Sequence, residues 1–244
     1  MRRLLLILLV FCLASANAQD ILLKQTTKAV LADKGDVGPN KKKYAHNYLG
    51  VTFAIPTRLE NETNIYGGSS VGFEYGRRFK RKLSNAFSVG FDLSASYMQY
   101  RSKKDTFSFY RQIYGVVAPD SLVTDKLSYT VARFAPYFRI NFGKRGNHLG
   151  KYVDLAFYGE FMISSSHVAK LKHENDPLVK KSQFRTRHLK YTNKLFYGPE
   201  LRYGNAFYNF YIRYRIPDIF NDKLSANPYQ LPNVLAGINL VIPR

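Results

Sequence analysis

Residues 87–97 read FSVGFDLSASY. Phe87, Val89, Phe91, Leu93, Ala95 and Tyr97 fall on one side of an extended chain, and Ser88, Gly90, Asp92, Ser94 and Ser96 on the other. Side chains alternate across a strand with period two, so this is a β-strand with one apolar and one polar side. The pattern decides the secondary structure but leaves the solvent open. An apolar row can pack inward in a water-soluble sandwich or outward against acyl chains.

The alternation returns in LGVTFAI (49–55), VGFEYGR (71–77), VARFAPYFRINF (131–142), VDLAFYGEFMIS (153–164), LFYGPELRY (195–203), FYNFYIRYRI (207–216) and VLAGINLVI (234–242). The gaps between these stretches alternate in length. Those at 56–70, 98–130, 165–194 and 217–233 are long, whereas RFKRKLSNA (78–86), GKRGNHLGKY (143–152) and residues 204–206 are short turns. An even strand number, with short turns at one end and long loops at the other, predicts an all-β fold. It is an eight-stranded antiparallel up-and-down transmembrane β-barrel over residues 44–244.

Lysine placement chooses between water and lipid. A water-facing strand surface is normally well supplied with Lys, a flexible and strongly hydrated charge. Here the polar rows carry Glu74, Asp92, Asp154, Glu160 and Glu200 with Arg78, Arg133, Arg139, Arg202, Arg213 and Arg215, while Lys is read as confined to loops, turns and the N-terminal arm, with Lys194 at a strand edge the nearest exception. These charges are expected to pair inside a narrow lumen, where an isolated charge would carry a large desolvation cost. Eight strands leave an interior only wide enough for side chains, so no open channel is expected. Tyr97, Tyr197, Tyr203, Tyr208 and Tyr214 lie near strand ends on the apolar side, where an amphipathic ring suits a headgroup boundary. Pro136 and Pro199 interrupt two strands and are read as bulges.

The N-terminus, MRRLLLILLVFCLASANAQD, has a charged start, an apolar run from Leu4 to Leu13 and a small-residue site at Ala16-Asn17-Ala18. It reads as a signal peptide over residues 1–18, too short for the ~20 residues of a spanning helix. Residues 19–43 lack sustained alternation and read as a flexible periplasmic arm. Cys12, the single cysteine, lies in the signal, so no disulfide or cysteine metal site is expected. Of 37 basic residues, Arg2 and Arg3 leave with the signal, so 35 face 17 acids and the processed chain carries +18. An exported chain of this charge meets anionic envelope surfaces rather than nucleic acid.

The signal ending ASANAQ, the strands VGFEYGRRF, FSVGFDLSASY and LFYGPELRYG, and the closing LPNVLAGINLVIPR resemble the small outer-membrane β-barrel proteins of Bacteroidota-type Gram-negative bacteria, similar in architecture to the OmpA/OmpX class. The resemblance implies an outer-membrane location and contact with the barrel-assembly machinery during biogenesis. It also admits a place among barrels of secretion machinery, the PorT-like group. The best-known members end in an aromatic residue, whereas this chain ends Ile242-Pro243-Arg244.

Two clusters invite chemistry. His167, His173 and His188 fall in or beside the 165–194 gap with Glu174 and Asp176, but no metal-binding spacing joins them, so no metal, cofactor or catalytic site is expected. Ser166 and His167, as strand neighbours, point to opposite faces and do not make a catalytic pair. The same gap carries Lys170, Lys172, Lys180, Lys181, Arg185 and Arg187, a candidate lipopolysaccharide-contact loop. RRFKRK (77–82) and Lys41 to Lys43 are placed against the periplasmic leaflet. The expected role is non-catalytic: envelope structure, surface or assembly interactions with outer-membrane lipid, lipopolysaccharide and envelope protein partners. A barrel-rim protease or lipid-modifying enzyme, and a soluble periplasmic lipocalin-like carrier, are the alternatives.

Overall fold

The computed structural model describes residues 41–56, 65–103, 108–116, 119, 121–142, 150–172, 181–221, 223–224 and 230–242. The signal peptide, the arm before residue 41, Lys180, His173, Glu174 and Asp176 lie outside them.

Among the described residues nine strands follow one another: β1 (Lys43–Ile55), β2 (Val71–Lys82), β3 (Phe87–Arg101), β4 (Leu122–Phe142), β5 (Lys151–Lys172), β6 (Lys181–Arg187), β7 (Leu195–Gly204), β8 (Tyr208–Tyr214) and β9 (Val234–Ile242). All pairings are antiparallel, and β1 pairs with both β2 and β9. The ladder runs β1-β2-β3-β4-β5-β7-β8-β9 and returns to β1, closing a barrel of eight strands. Closure removes every edge from the ring, so each ring strand has neighbours on both sides.

The ninth strand corrects the reading of 165–194 as one loop. β5 continues to Lys172 and β6 turns back along its far half, from Ser166↔Arg187 to Lys172↔Lys181. β4 starts at Leu122 rather than 131 and pairs there with β5. A sheet of β3, β4, β5 and β6 therefore projects beyond the ring. The sequence hides this because an irregularity between Thr130/Val131 leaves Ile163 as an extra residue on β5, which reverses which side its residues face. Below it Asp154, Tyr158 and Glu160 are buried; above it Ser165, His167 and Ala169 are.

At the turn end, 78–82 is strand and not turn. β2 carries Arg78 and Lys80 inward, both buried, and the reversal is left to residues 83–86. There Ser84 Oγ accepts from the backbone N–H groups of Ala86 and Phe87 at 3.2 and 3.0 Å. Lys is thus not confined to loops: Lys80, Lys126, Lys170, Lys172 and Lys181 all stand on strands. The prolines mark no bulge. Pro136 pairs with Phe91 but lies in an open stretch of the β4–β5 ladder between Phe134↔Gly159 and Tyr137↔Ala156, with no shift of register. Pro199 pairs with Phe157 just past Glu200↔Arg213, the last β7–β8 pair. Each sits where one flanking ladder makes no demand on its missing N–H.

The polarity of the wall is inverted relative to a water-soluble protein. Asp154 is 0% exposed while its neighbour Leu155 is 53% exposed; Glu74 is 2% and Phe73 62%. Phe134, Phe157, Phe161, Leu201, Ile212 and Leu240 continue the exposed apolar surface around the ring, with Tyr97, Tyr197, Tyr203, Tyr208 and Tyr214 also facing out. Each large apolar side chain left in water forgoes ~1.5–3 kcal/mol, and soluble monomers rarely expose apolar patches beyond a few hundred Å2. Lipid is the solvent that fits this wall. The fold is a transmembrane β-barrel.

Candidate functional site

The lumen within the ring holds a closed electrostatic network. Glu200, on β7, is its hub: Oε2 accepts from Arg133 Nη1 at 2.6 Å and from Arg213 Nε at 2.7 Å, and Oε1 accepts from Arg202. Glu74 receives Arg133 and Arg213, the latter at 3.2 Å, and Glu160 receives Arg213 at 3.2 Å. Nearer the turn end, Arg78 and Arg202 reach Asp92 at 3.0 and 3.4 Å, and Arg139 binds Asp154 through two nitrogens at 2.6 and 2.8 Å. Tyr48 links the two groups. Its hydroxyl lies 2.6 Å from Glu74 and 2.8 Å from Asp92, its one proton serving either, and it accepts from Arg133 at 2.9 Å. Five carboxylates thus face five guanidiniums, which is how ten charges can be shut away from water.

Glycine makes the room. Gly76 lies opposite Tyr48 and Gly237 opposite Tyr211. A Cβ at either position would fall 2.5 Å from the tyrosine's Cζ and Oη. Arg215, expected in the network, is not in it. It is buried further up, where Nη2 donates to the carbonyls of Leu231 and Pro232 at 3.1 and 3.0 Å and to Asn233 Oδ1 at 3.1 Å. The sixth arginine ties down the chain between β8 and β9 rather than balancing an acid.

Above the charges the lumen turns apolar, which the sequence reading did not foresee. Tyr100, Leu127, Tyr129, Val131, Met162 and Phe196 from the strands meet Phe109, Leu189, Ile219, Phe220 and Leu231 from the loops in one buried cluster. The loops grip one another across the mouth. Asn193 N–H donates to Ile219 O at 2.8 Å, Asn221 N–H to Tyr191 O at 2.9 Å, and the Gln230 amide clasps the Phe220 backbone.

A short helix, α1 (Phe109–Tyr114), belongs to this lid. Ser108 Oγ accepts from Arg111 N–H at its start, and Gly115, at φ 70°, closes its end through a bond to Arg111 O. Asp125 fixes it to the barrel. Oδ2 accepts from Tyr110 N–H at 2.9 Å and Ser102 Oγ at 2.5 Å, while Oδ1 meets His167 Nε2 at 2.7 Å. A histidine held by a carboxylate was not evident from sequence, because 42 residues separate the pair. Serine, acid and histidine are present, yet the serine lies on the acid and not on the imidazole, and all three are buried. The arrangement is a latch. Nearby, burial pushes the Tyr191 phenol well up, helped by Tyr114 and Asp125. Replacing Asp125 with Asn removes a charge-assisted pair worth ~1.5–3 kcal/mol. Tryptic cleavage after Arg111 in the membrane-embedded protein is then expected to accelerate at least tenfold; an unchanged rate would show that α1 is held by something else.

The candidate lipopolysaccharide cations gather on one face. Cross-strand partners share a side, so Lys172 with Lys181, Val168 with Arg185 and Ser166 with Arg187 place Lys170, Lys172, Lys181, Arg185 and Arg187 together. Lys126 pairs with Val168 and with Arg101, extending the patch to seven cations across β3, β4, β5 and β6. No Asp or Glu lies on this face among the described residues; Asp125 points the other way, into the lid. Lys126, on the projecting part of β4, is pulled below the usual lysine range by burial and by its neighbours Arg101 and Lys170. The patch continues the outward, lipid-facing side of the barrel. Of the described histidines of this region, His167 is built into the interior and His188 ends the hairpin in the left-handed conformation, exposed.

No protein-family model matches the chain, and none of the curated proteins matches it. Among solved structures it is similar to Ail, the attachment invasion locus protein of Yersinia pestis. Identity is 14% and the TM-score 0.32, over 82% of this chain and 95% of that one. The barrel stands on its own ladder of strand pairs, not on this likeness.

Proposed function

We propose that this chain is a non-catalytic outer-membrane protein with a sealed lumen, which serves envelope structure or surface interactions through its projecting basic sheet. The short turns, the start of β1 and the end of β9 lie together, the arrangement that bacterial barrels keep on the periplasmic side, so the long loops and the β5–β6 hairpin stand outside. The observation that carries the role is the seven-cation face. It leaves the bilayer on the lipid side of the wall, at the height where lipopolysaccharide phosphates surround a barrel, and Arg and Lys make charge-assisted contacts to phosphate.

The test is binding of the folded protein to lipopolysaccharide with and without its phosphates. Wild type is expected to prefer the phosphorylated form. Lys170→Gln, Arg185→Gln and Arg187→Gln together are expected to lower that affinity at least tenfold, at ~1 kcal/mol per cation. Equal binding by variant and wild type would remove the role. The sealed lumen carries its own expectation, no steady conductance in a planar bilayer; a nanosiemens pore would contradict it.

Two other readings fare worse. A rim enzyme has no exposed nucleophile paired with a base among the described residues, and a soluble carrier needs an apolar pocket where this barrel keeps ten paired charges. A Bacteroidota-type origin, membership of the PorT-like group and a part in a secretion assembly rest on the sequence resemblance alone.

A further inference from the structure

The opposite end of the barrel holds a second concentration of positive charge, and its geometry is that of a seat for a single lipid. Lys43 on β1 stands directly opposite Arg81 on β2, both on the outward side and both exposed. Like charges placed opposite one another across an antiparallel pair repel. Arg77 faces outward two positions further along that row, its guanidinium 5.3 Å over the Phe79 ring, and Lys41, Lys42 and Lys82 crowd the same rim. The outward positions around them are Ala45 and Asn47 on β1, Phe79 on β2, and Phe87, Val89 and Phe91 on β3; none is acidic. Among the described residues no carboxylate on this face relieves the Lys43–Arg81 repulsion.

Between the two cations begins a groove of about 570 Å3, floored by Ala45, Phe79, Val89, Gly90 and Phe91 and flanked by Lys43 and Arg81. The Phe79 and Phe91 rings stack at 4.7 Å along it. A pair of cations at a bilayer interface, opening onto an apolar trough that descends the membrane-facing wall, matches a molecule with an anionic head and an acyl tail. We infer that this groove binds an anionic glycerophospholipid, with its phosphate between Lys43 and Arg81 and one acyl chain along Phe79, Val89 and Phe91. The phosphate relieves the like-charge pair, and the chain covers aromatic surface already turned toward lipid. The inference needs the transmembrane placement of the wall and does not depend on the basic sheet at the other end.

The experiment is native mass spectrometry of the folded, full-length processed protein released from mixed micelles of phosphatidylglycerol and phosphatidylcholine. Wild type is expected to retain one phosphatidylglycerol in clear preference to phosphatidylcholine. Lys43→Gln with Arg81→Gln is expected to lower that retention about 30-fold, the effect of two interfacial cations. Millimolar inorganic phosphate is expected not to displace the lipid, because the tail holds it; displacement would mean a bare phosphate site and overturn the lipid assignment. Equal retention of both lipids by wild type would overturn it without any variant. Loss of retention in the Lys170→Gln, Arg185→Gln, Arg187→Gln protein but not in the Lys43/Arg81 variant would move the lipid to the other end and equally overturn it. Heat-modifiable gel mobility verifies that each variant is folded.

Discussion

Glu200→Ala is expected to lower the unfolding free energy by about 3–5 kcal/mol, the loss that follows when one member of a buried ionic network is removed and its partners stay. Glu200 is the acid on which three guanidiniums converge, those of Arg133, Arg202 and Arg213. Without it five buried arginines face four carboxylates, and the excess charge has no route to water through a lumen closed above by the apolar lid. The measurement is urea unfolding of the protein reconstituted in vesicles, followed by gel mobility. Glu160 supplies the internal comparison, since it receives only Arg213, at 3.2 Å. Glu160→Gln should cost clearly less than Glu200→Gln. If the two cost the same, or if Glu200→Ala costs under about 1 kcal/mol, the carboxylates do not act as a connected, water-free network.

Phe157→Arg carries the second large effect, on the other side of the wall. Phe157 is exposed on the membrane face of β5, opposite Pro199. An arginine facing lipid near the midplane of a barrel costs about 2–4 kcal/mol, falling toward zero at the interfaces. The same unfolding measurement should therefore show a loss of that size for Phe157→Arg. Thr186→Arg, exposed on the side of the projecting hairpin away from the basic face, should stay within about 0.5 kcal/mol of wild type. In a water-soluble fold both would be surface substitutions of little consequence, so the contrast between them reads out the solvent directly.

How much of this was legible in the chain follows from what alternation can and cannot encode. The eight ring strands were readable because each keeps an apolar row in step for seven residues or more, as Leu49 to Ile55 and Val234 to Ile242 do. The interior acids and arginines were readable for the same reason, being out of phase with that row; only Arg215 was misplaced, because β8 ends at Tyr214 and the side chain then answers to loop carbonyls. β6 was not readable. KSQFRTR is exposed on nearly every residue, so no solvent difference stamps a period on it. The RRFKRK stretch looked like a turn because its outward residues, Arg77 and Arg81, sit at a charged interface rather than in the apolar band. The Asp125–His167 latch and the apolar lid depend on contacts between segments far apart in sequence. Phe109, Leu189, Phe220 and Leu231 come from stretches with no alternation to announce that they turn inward.

The central claim is that the aliphatic and aromatic rows of the wall touch acyl chains while the arginines and carboxylates are enclosed. Nitroxide labels on single cysteines at Leu155, Leu201, Ile212 and Ile238, with Cys12 absent, and a reference label at Gln183, measure this in reconstituted vesicles by collision with oxygen and with a polar nickel complex. The account predicts that the four ring positions meet oxygen freely and the nickel complex hardly at all, with the reverse at Gln183. Nickel collisions at the ring positions as frequent as those at Gln183 would place that wall in water and contradict it.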